Sequence, residues 1–225
     1  MKLPNIFVPE KNLEDEIGRL SKEPVKFHPK YAKFGTVSAA NYAKGIAKLK
    51  EQGKKPFTFS ENIEARIIDY NNYGEDSELF MTSFSSVTAI VYKAHSTKFK
   101  IVIRSDKLEN INVGFRRKYI TVNYNAEQGV ELDSAKGKYG EYLTRKEAKN
   151  HEFWLAAMNG DKEKLIKYVD MWFDKTGLVL GMGVYLISNT KQNELRSLVL
   201  DYGGFNSSAY GRDGLGDDVH FVSCA

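Results

Sequence analysis

The chain has 225 residues, of which 42% are hydrophobic and 12% aromatic, enough to bury a core and too many for a disordered tract. Its net charge is +4, but dense runs of lysine and arginine such as Lys54-Lys55 and Arg116-Arg117-Lys118 are short and isolated, less than the basic surface that phosphate binding needs, so no nucleic-acid partner is expected. A lone cysteine, Cys224, cannot form an intramolecular disulfide and is compatible with a reducing compartment.

Met1 to Leu13 is broken up by Pro4, Asn5, Glu10 and Lys11, so neither a signal peptide nor a membrane-inserted helix is expected there. Display at a cell or virion surface would then depend on another component. Leu13, Ile17 and Leu20 repeat at helical spacing, and a second helix is predicted to start at Thr36 and run through Tyr42, Ile46 and Leu49 to Gly53. Ser60 reads as the N-cap of a third helix carrying Ile63, Ile67 and Ile68. Residues 1–70 therefore read as a mainly helical part of one 225-residue domain.

The period then changes. Val87, Ile90 and Tyr92, then Phe99, Ile101 and Ile103, then Ile120, Val122 and Tyr124 mark three strands between Ser86 and Asn125. Ala126 to Tyr142 reads as a weakly structured connector. Thr144 and Glu147 have capping-box spacing, Phe153, Trp154 and Ala157 are expected to face a core, and Asp161 in Asn159-Gly160-Asp161 can cap the next helix. That helix carries Leu165, Tyr168, Val169 and Trp172 and closes at Gly177. Three strand-length apolar segments follow, Gly183 to Ile187, Leu195 to Leu200 and Val219 to Val222. The fold class is α+β.

The segment from Leu195 to Ala225 differs from the rest. Arg196 and Arg212 stand against Asp201, Asp213, Asp217 and Asp218, a net −2 that leaves +6 on the preceding residues. Between Asp201 and Asp218 the chain reads as ordered loops in which Tyr202, Phe205 and Tyr210 are set among Gly, Ser and Asn, a composition that suits adaptable recognition surfaces. Lys, Glu, Gln, Met and Trp together supply 52 residues, and none occurs after Glu194. Random scatter would leave a given stretch of that length empty with a probability on the order of 0.0003. An AAC or AAT codon randomised at its two adenines cannot encode any of these five types, nor a stop, whereas every residue from Leu195 to Ala225 belongs to the set it can encode.

On these residues, with the strand-like LRSLVL at Leu195 to Leu200, Ala209, Gly211, Leu215 and the closing VHFVSCA from Val219, the chain resembles the variable proteins of diversity-generating retroelements, of the archaeal, Nanoarchaeota-associated type. The resemblance covers about the last seventy residues, from Phe153. It implies a C-type lectin fold with two helices and twisted sheets, and a binding face whose side chains are rewritten by adenine-directed mutagenesis. The positions it implies are variable are Asp201, Tyr202, Gly204, Phe205, Asn206, Ser207, Ser208, Tyr210, Asp213, Gly214, Gly216, Asp217 and Asp218, with Arg212 and His220 beside them. Leu198, Leu200, Ala209, Leu215, Val219, Phe221 and Cys224 read as fixed scaffold. The expected ligand is a protein or other cell-surface molecule, with no cofactor and no metal.

Two rival readings bear on the same residues. Asp213, Asp217 and Asp218 could serve a calcium-dependent, carbohydrate-binding lectin-like domain, although DGLGDD lacks EF-hand spacing. Cys224 and His220 could serve a small thiol-dependent or metal-dependent enzyme, but strand alternation places them on one face through packing alone. His28, His95, His151 and His220 are scattered, and no phosphate-binding glycine loop or nucleophile elbow is present, so no catalytic residue is expected.

Overall fold

The computed structural model describes residues 34–202, 206–211 and 214–224. The helix expected around Leu13 to Leu20 lies outside them. Strand β1 (Phe34–Ala39) occupies the start of the segment expected to be helical from Thr36. Its backbone pairs antiparallel with β10 (Val219–Cys224), from Phe34 opposite Cys224 to Ala39 opposite Val219, and this distant pairing overrides the local helical period. Helix α1 (Tyr42–Glu51) begins only after Asn41, whose side chain accepts from the Lys44 amide at 3.0 Å. Helix α2 (Phe59–Tyr73) is capped by Thr58 rather than Ser60, because Thr58 and Glu61 close a reciprocal capping box and Ser60 falls inside the first turn.

The larger sheet is assembled mostly from antiparallel neighbours. Strands β2 (Phe84–Tyr92), β3 (Lys98–Val102) and β5 (Val130–Asp133) form one flank. Strand β5 thus lies within the stretch expected to be a weakly structured connector. Short helix α3 (Asp106–Glu109) follows β3, and the third predicted strand shrinks to β4 (Ile120–Thr121), since Tyr124 starts a 3-10 turn. Strands β6 (Tyr142–Thr144), β7 (Leu180–Tyr185) and β9 (Ser207–Tyr210) form the other flank, joined to the first through β8 (Glu194–Tyr202). All pairings are antiparallel except β7 with β9. A bulge between Ser85 and Ala89 breaks the β2–β8 register.

Helices α4 (Arg145–Ala148), α5 (Glu152–Ala157) and α6 (Lys162–Thr176) lie between β6 and β7 and follow their sequence signals closely. Thr144 and Glu147 form the capping box, the Asp161 carboxylate accepts from the Lys164 amide at 2.9 Å, and Gly177 ends α6 in the left-handed region at φ 63°. One core joins α2, α5 and α6 to the sheet through Phe59, Phe153, Trp154, Tyr168, Trp172, Leu198 and Leu200. A second, on the opposite side of the sheet, joins α1 and β10 to it through Tyr42, Ile46, Val87, Val91, Leu195 and Phe221. Among the described residues no helix is long and apolar enough to cross a membrane.

Candidate binding surface at the ends of β8, β9 and β10

Strand β8 divides its side chains between the two cores. Its even-numbered residues Leu198 and Leu200 pack against the helical layer, whereas Ser197, Val199 and Asp201 point to the other side, where β10 and residues 214–218 approach. Between them lies a cavity of about 210 Å³. Five residues named from the sequence line it, Asp201, Gly214, Asp217, Asp218 and His220. They come from the end of β8, the loop before β10 and β10 itself, so the fold gathers them although 19 positions separate the first from the last. Three are carboxylates, and among the described residues no lysine or arginine lines the cavity.

The loop holding Asp217 and Asp218 is fixed at several points. The Leu215 amide donates to the Lys118 carbonyl at 2.9 Å, the Tyr42 amide donates to the Leu215 carbonyl at 3.1 Å, and the Gly214 amide donates to Asp217 Oδ2 at 2.9 Å. Leu215 itself is buried. The Asp201 carboxylate accepts from the Ser83 hydroxyl, which in turn accepts from the Tyr202 amide at 3.0 Å. On β10 the His220 Nδ1 lies 2.8 Å from Ser38 Oγ across the pairing with β1. Burial pushes the Tyr42 phenol well above its usual range, so this part of the wall stays neutral while its hydroxyl donates to the Ser86 carbonyl at 2.8 Å.

Of the other predicted positions, Tyr202 ends β8, Asn206 to Tyr210 lie at or along β9, and Gly216 is in the turn before β10. Strand β9 is itself a departure from the expectation of loops between Asp201 and Asp218, and it is ordered by parallel pairing with β7 and antiparallel pairing with β8. Tyr210 is half-buried and stacks on Tyr185, with ring centroids 4.9 Å apart and an interplanar angle of 20°. The Asn206 side-chain amide donates to the Tyr142 hydroxyl at 3.0 Å. Tyr202 packs edge-on to Phe80. Gly216, partly exposed, sits beside the Arg116 carbonyl.

Ser207, Ser208 and Gly214 depart from the expectation that such positions face solvent. All three are buried, Ser207 because its hydroxyl meets the Tyr168 hydroxyl at 2.6 Å beneath the sheet, and Ser208 because it turns inward and donates to Asn206 Oδ1 at 3.1 Å. Gly204, Phe205, Arg212 and Asp213 lie outside the described residues.

Sequence reasoning overlooked the wall supplied from upstream. Ser83 and Ser85 line the cavity, Ser83 just before β2 and Ser85 within it, and the available signal was a serine at alternate positions where an apolar strand begins. Arg66 was also overlooked. It is wholly buried, and its guanidinium donates to the carbonyls of Leu79 (3.0 Å), Thr82 and Leu200 (3.3 Å) and to the Tyr168 hydroxyl (2.9 Å). Through Tyr168 this network reaches Ser207, so a single buried cation holds the undersides of both β8 and β9.

No family model and no curated protein matches the chain. It is similar to a solved structure described as the accommodation of massive sequence variation in Nanoarchaeota by the C-type lectin fold, with a TM-score of 0.66 and 14% identity over 85% of this chain and 97% of the other. The helices packed on a mixed sheet, with β1 and β10 paired beside them, accordingly form a C-type lectin fold.

Proposed function

We propose that the chain is a ligand-binding variable protein, not an enzyme, whose segment from Leu195 to Ala225 is diversified by adenine-directed mutagenic copying. One observation carries the reading. Six of the seven residues assigned to the scaffold from sequence, Leu198, Leu200, Ala209, Leu215, Val219 and Phe221, are no more than 6% exposed, whereas Asp217, Asp218 and His220, from the same codon-restricted segment, are exposed, with Ser207, Ser208 and Gly214 as buried exceptions. Folding and recognition can then be carried by different side chains of one segment. The neighbour's fold supports the reading, since lectin-type scaffolds present ligand-binding loops, although fold alone assigns no ligand. The ligand class that suits Tyr202, Tyr210 and the aspartates is a protein or other cell-surface molecule.

The neighbouring DNA provides the test. The expected finding is a reverse-transcriptase gene and a near-copy of the final coding segment, differing only where the copy has adenine. Related clones that differ evenly along the chain, with no such copy, would overturn the proposal. Melting temperature measured with and without calcium checks the lectin alternative, which requires a calcium-dependent rise.

A further inference from the structure

The cavity between β8 and β10 is polar, acidic and unfinished. Asp201, Asp217 and Asp218 surround it, and among the described residues no lysine or arginine lines it. Asp201 and Asp217 are each oriented by a bond to one carboxylate oxygen, from the Ser83 hydroxyl and the Gly214 amide. Asp218 engages no described residue. An independent sign comes from Ser85. This residue is only 4% exposed and lines the cavity, yet its hydroxyl makes no hydrogen bond to any described residue. Buried hydroxyls are ordinarily paired, and one that opens onto a cavity marks where a ligand's polar atom belongs.

We propose that this cavity receives the guanidinium of an arginine side chain on a protein partner. Size is the first argument, because about 210 Å³ is below the span of about 300–1,000 Å³ typical of sites for drug-sized molecules and suits one side chain. The donor and acceptor pattern is the second. A guanidinium is all donor, planar and five-fold, and its fork matches acceptors spread over several walls, here the Ser83 and Ser85 hydroxyl oxygens and the carboxylates. Among the described residues no three His, Cys, Asp or Glu side chains are grouped so as to hold a metal. The nearest lysines are not competitors. Lys48 is spent on the Ser38 carbonyl at 2.9 Å, and the Lys118 stem lies against Gly214 outside the lining. This inference rests on the reading of the chain as a binding module and names what one part of its surface recognises.

The test titrates the full chain with N-acetylarginine amide and follows the backbone resonances by NMR, with N-acetyllysine amide, N-acetylcitrulline amide and calcium chloride in parallel. The expected result is a saturable response at Ser83, Ser85, Asp201 and residues 214–220 for the arginine probe. Lysine should bind several-fold more weakly and the neutral citrulline not measurably. Asp218→Asn, which removes no hydrogen bond of the described protein, should weaken the arginine probe about tenfold, and Ser85→Ala should weaken it less. Equal binding of lysine or citrulline, calcium binding at the same residues, or no saturable response there would overturn the proposal. Ligands selected from a displayed protein library distinguish the two levels of failure. If selected ligands bind through Tyr202 and Asn206 while the arginine probe leaves the cavity silent, the cation site falls and the binding module stands. If the probe binds but exchange of the 201–220 side chains leaves ligand choice unchanged, the binding-module reading falls instead.

Discussion

The two faces of β8 have opposite surroundings. On one, Leu198 and Leu200 are fully buried against α2 and α6, and the Leu200 carbonyl accepts from the buried Arg66. On the other, the strand starts in the second core at Leu195, passes Ser197 and Val199, and ends at Asp201 on the wall of an open acidic cavity. Strand alternation lets nine residues serve a closed frame on one side and the wall of a cavity on the other. Substitutions should therefore divide by the direction of a side chain, not by its position along the chain.

The most damaging change should be at Arg66, far from the cavity in sequence. Arg66→Ala leaves three carbonyls and the Tyr168 hydroxyl without their donor inside the core, and a loss of about 4 kcal/mol is expected from chemical denaturation. A loss below about 1 kcal/mol would mean that water replaces the guanidinium and that the frame is not tied together there. Next comes Gly211, within the codon-restricted segment but on the frame side. A Cβ at this position would lie 2.1 Å from Ile90 Cδ1 and 2.6 Å from the Tyr92 hydroxyl, and that hydroxyl donates to the Gly211 carbonyl at 2.9 Å. Gly211→Ala should cost about 2 kcal/mol by overpacking. Ser207→Ala removes one of the two partners of the Tyr168 hydroxyl and should cost about 1 kcal/mol, which would make Ser207 a fixed position despite its permitted codon.

How much of this was legible in the sequence follows from how local each signal is. The ends of α4 and α6 could be read directly, because Thr144 with Glu147, Asp161 and Gly177 act on amides and carbonyls within one turn. The Thr58–Glu61 box was equally local but lay two residues before the apolar run that drew attention to Ser60. Strand β1 could not be read, since Thr36 and Val37 are extended only because β10, nearly two hundred residues later, lies beside them. Nor could β9, whose Ser207-Ser208-Ala209 has turn composition and is ordered by its pairing with β7 and β8. At the cavity, the carboxylates were visible as an acidic segment. Ser83, Ser85 and Arg66 were not, because their significance lies in what the fold brings opposite them.

Acidity should weaken the frame by a route that leaves the aspartates out. His151 stands before α5 with Nε2 2.8 Å from the Lys138 carbonyl, to which it donates in the neutral form, and its Nδ1 is buried without a partner among the described residues. Burial holds this imidazole below its ordinary 6.5, outweighing the Lys138 bond and the nearby Glu152 and Glu147 carboxylates. The unfolded chain therefore binds the proton more readily than the folded one. Its contribution is complete above about 6.5 and lost as the pH falls through that value toward the lower folded one. The melting temperature should decline over this window, and His151→Gln should flatten the decline. Glu147, lowered to about 2 first by Lys138 and then by its capping-box bonds, acts in a separate window below its ordinary 4.5. A decline that His151→Gln leaves unchanged would assign the acid sensitivity elsewhere.

The smallest effect on stability is expected where the effect on recognition should be greatest. Asp217 and Asp218 are exposed, and the only hydrogen bond their side chains make to the described protein is the one the Asp217 carboxylate accepts from the Gly214 amide. Replacing both by serine or asparagine, types that the same randomised codons can encode, should change unfolding free energy by no more than about 0.5 kcal/mol. Their loop is held by Leu215 and its backbone bonds to Lys118 and Tyr42, none of which depends on the two side chains. If the double substitution instead costs as much as Ser207→Ala, the loop's carboxylates belong to the frame, and the division between the two faces of β8 does not extend to the surface that completes the cavity.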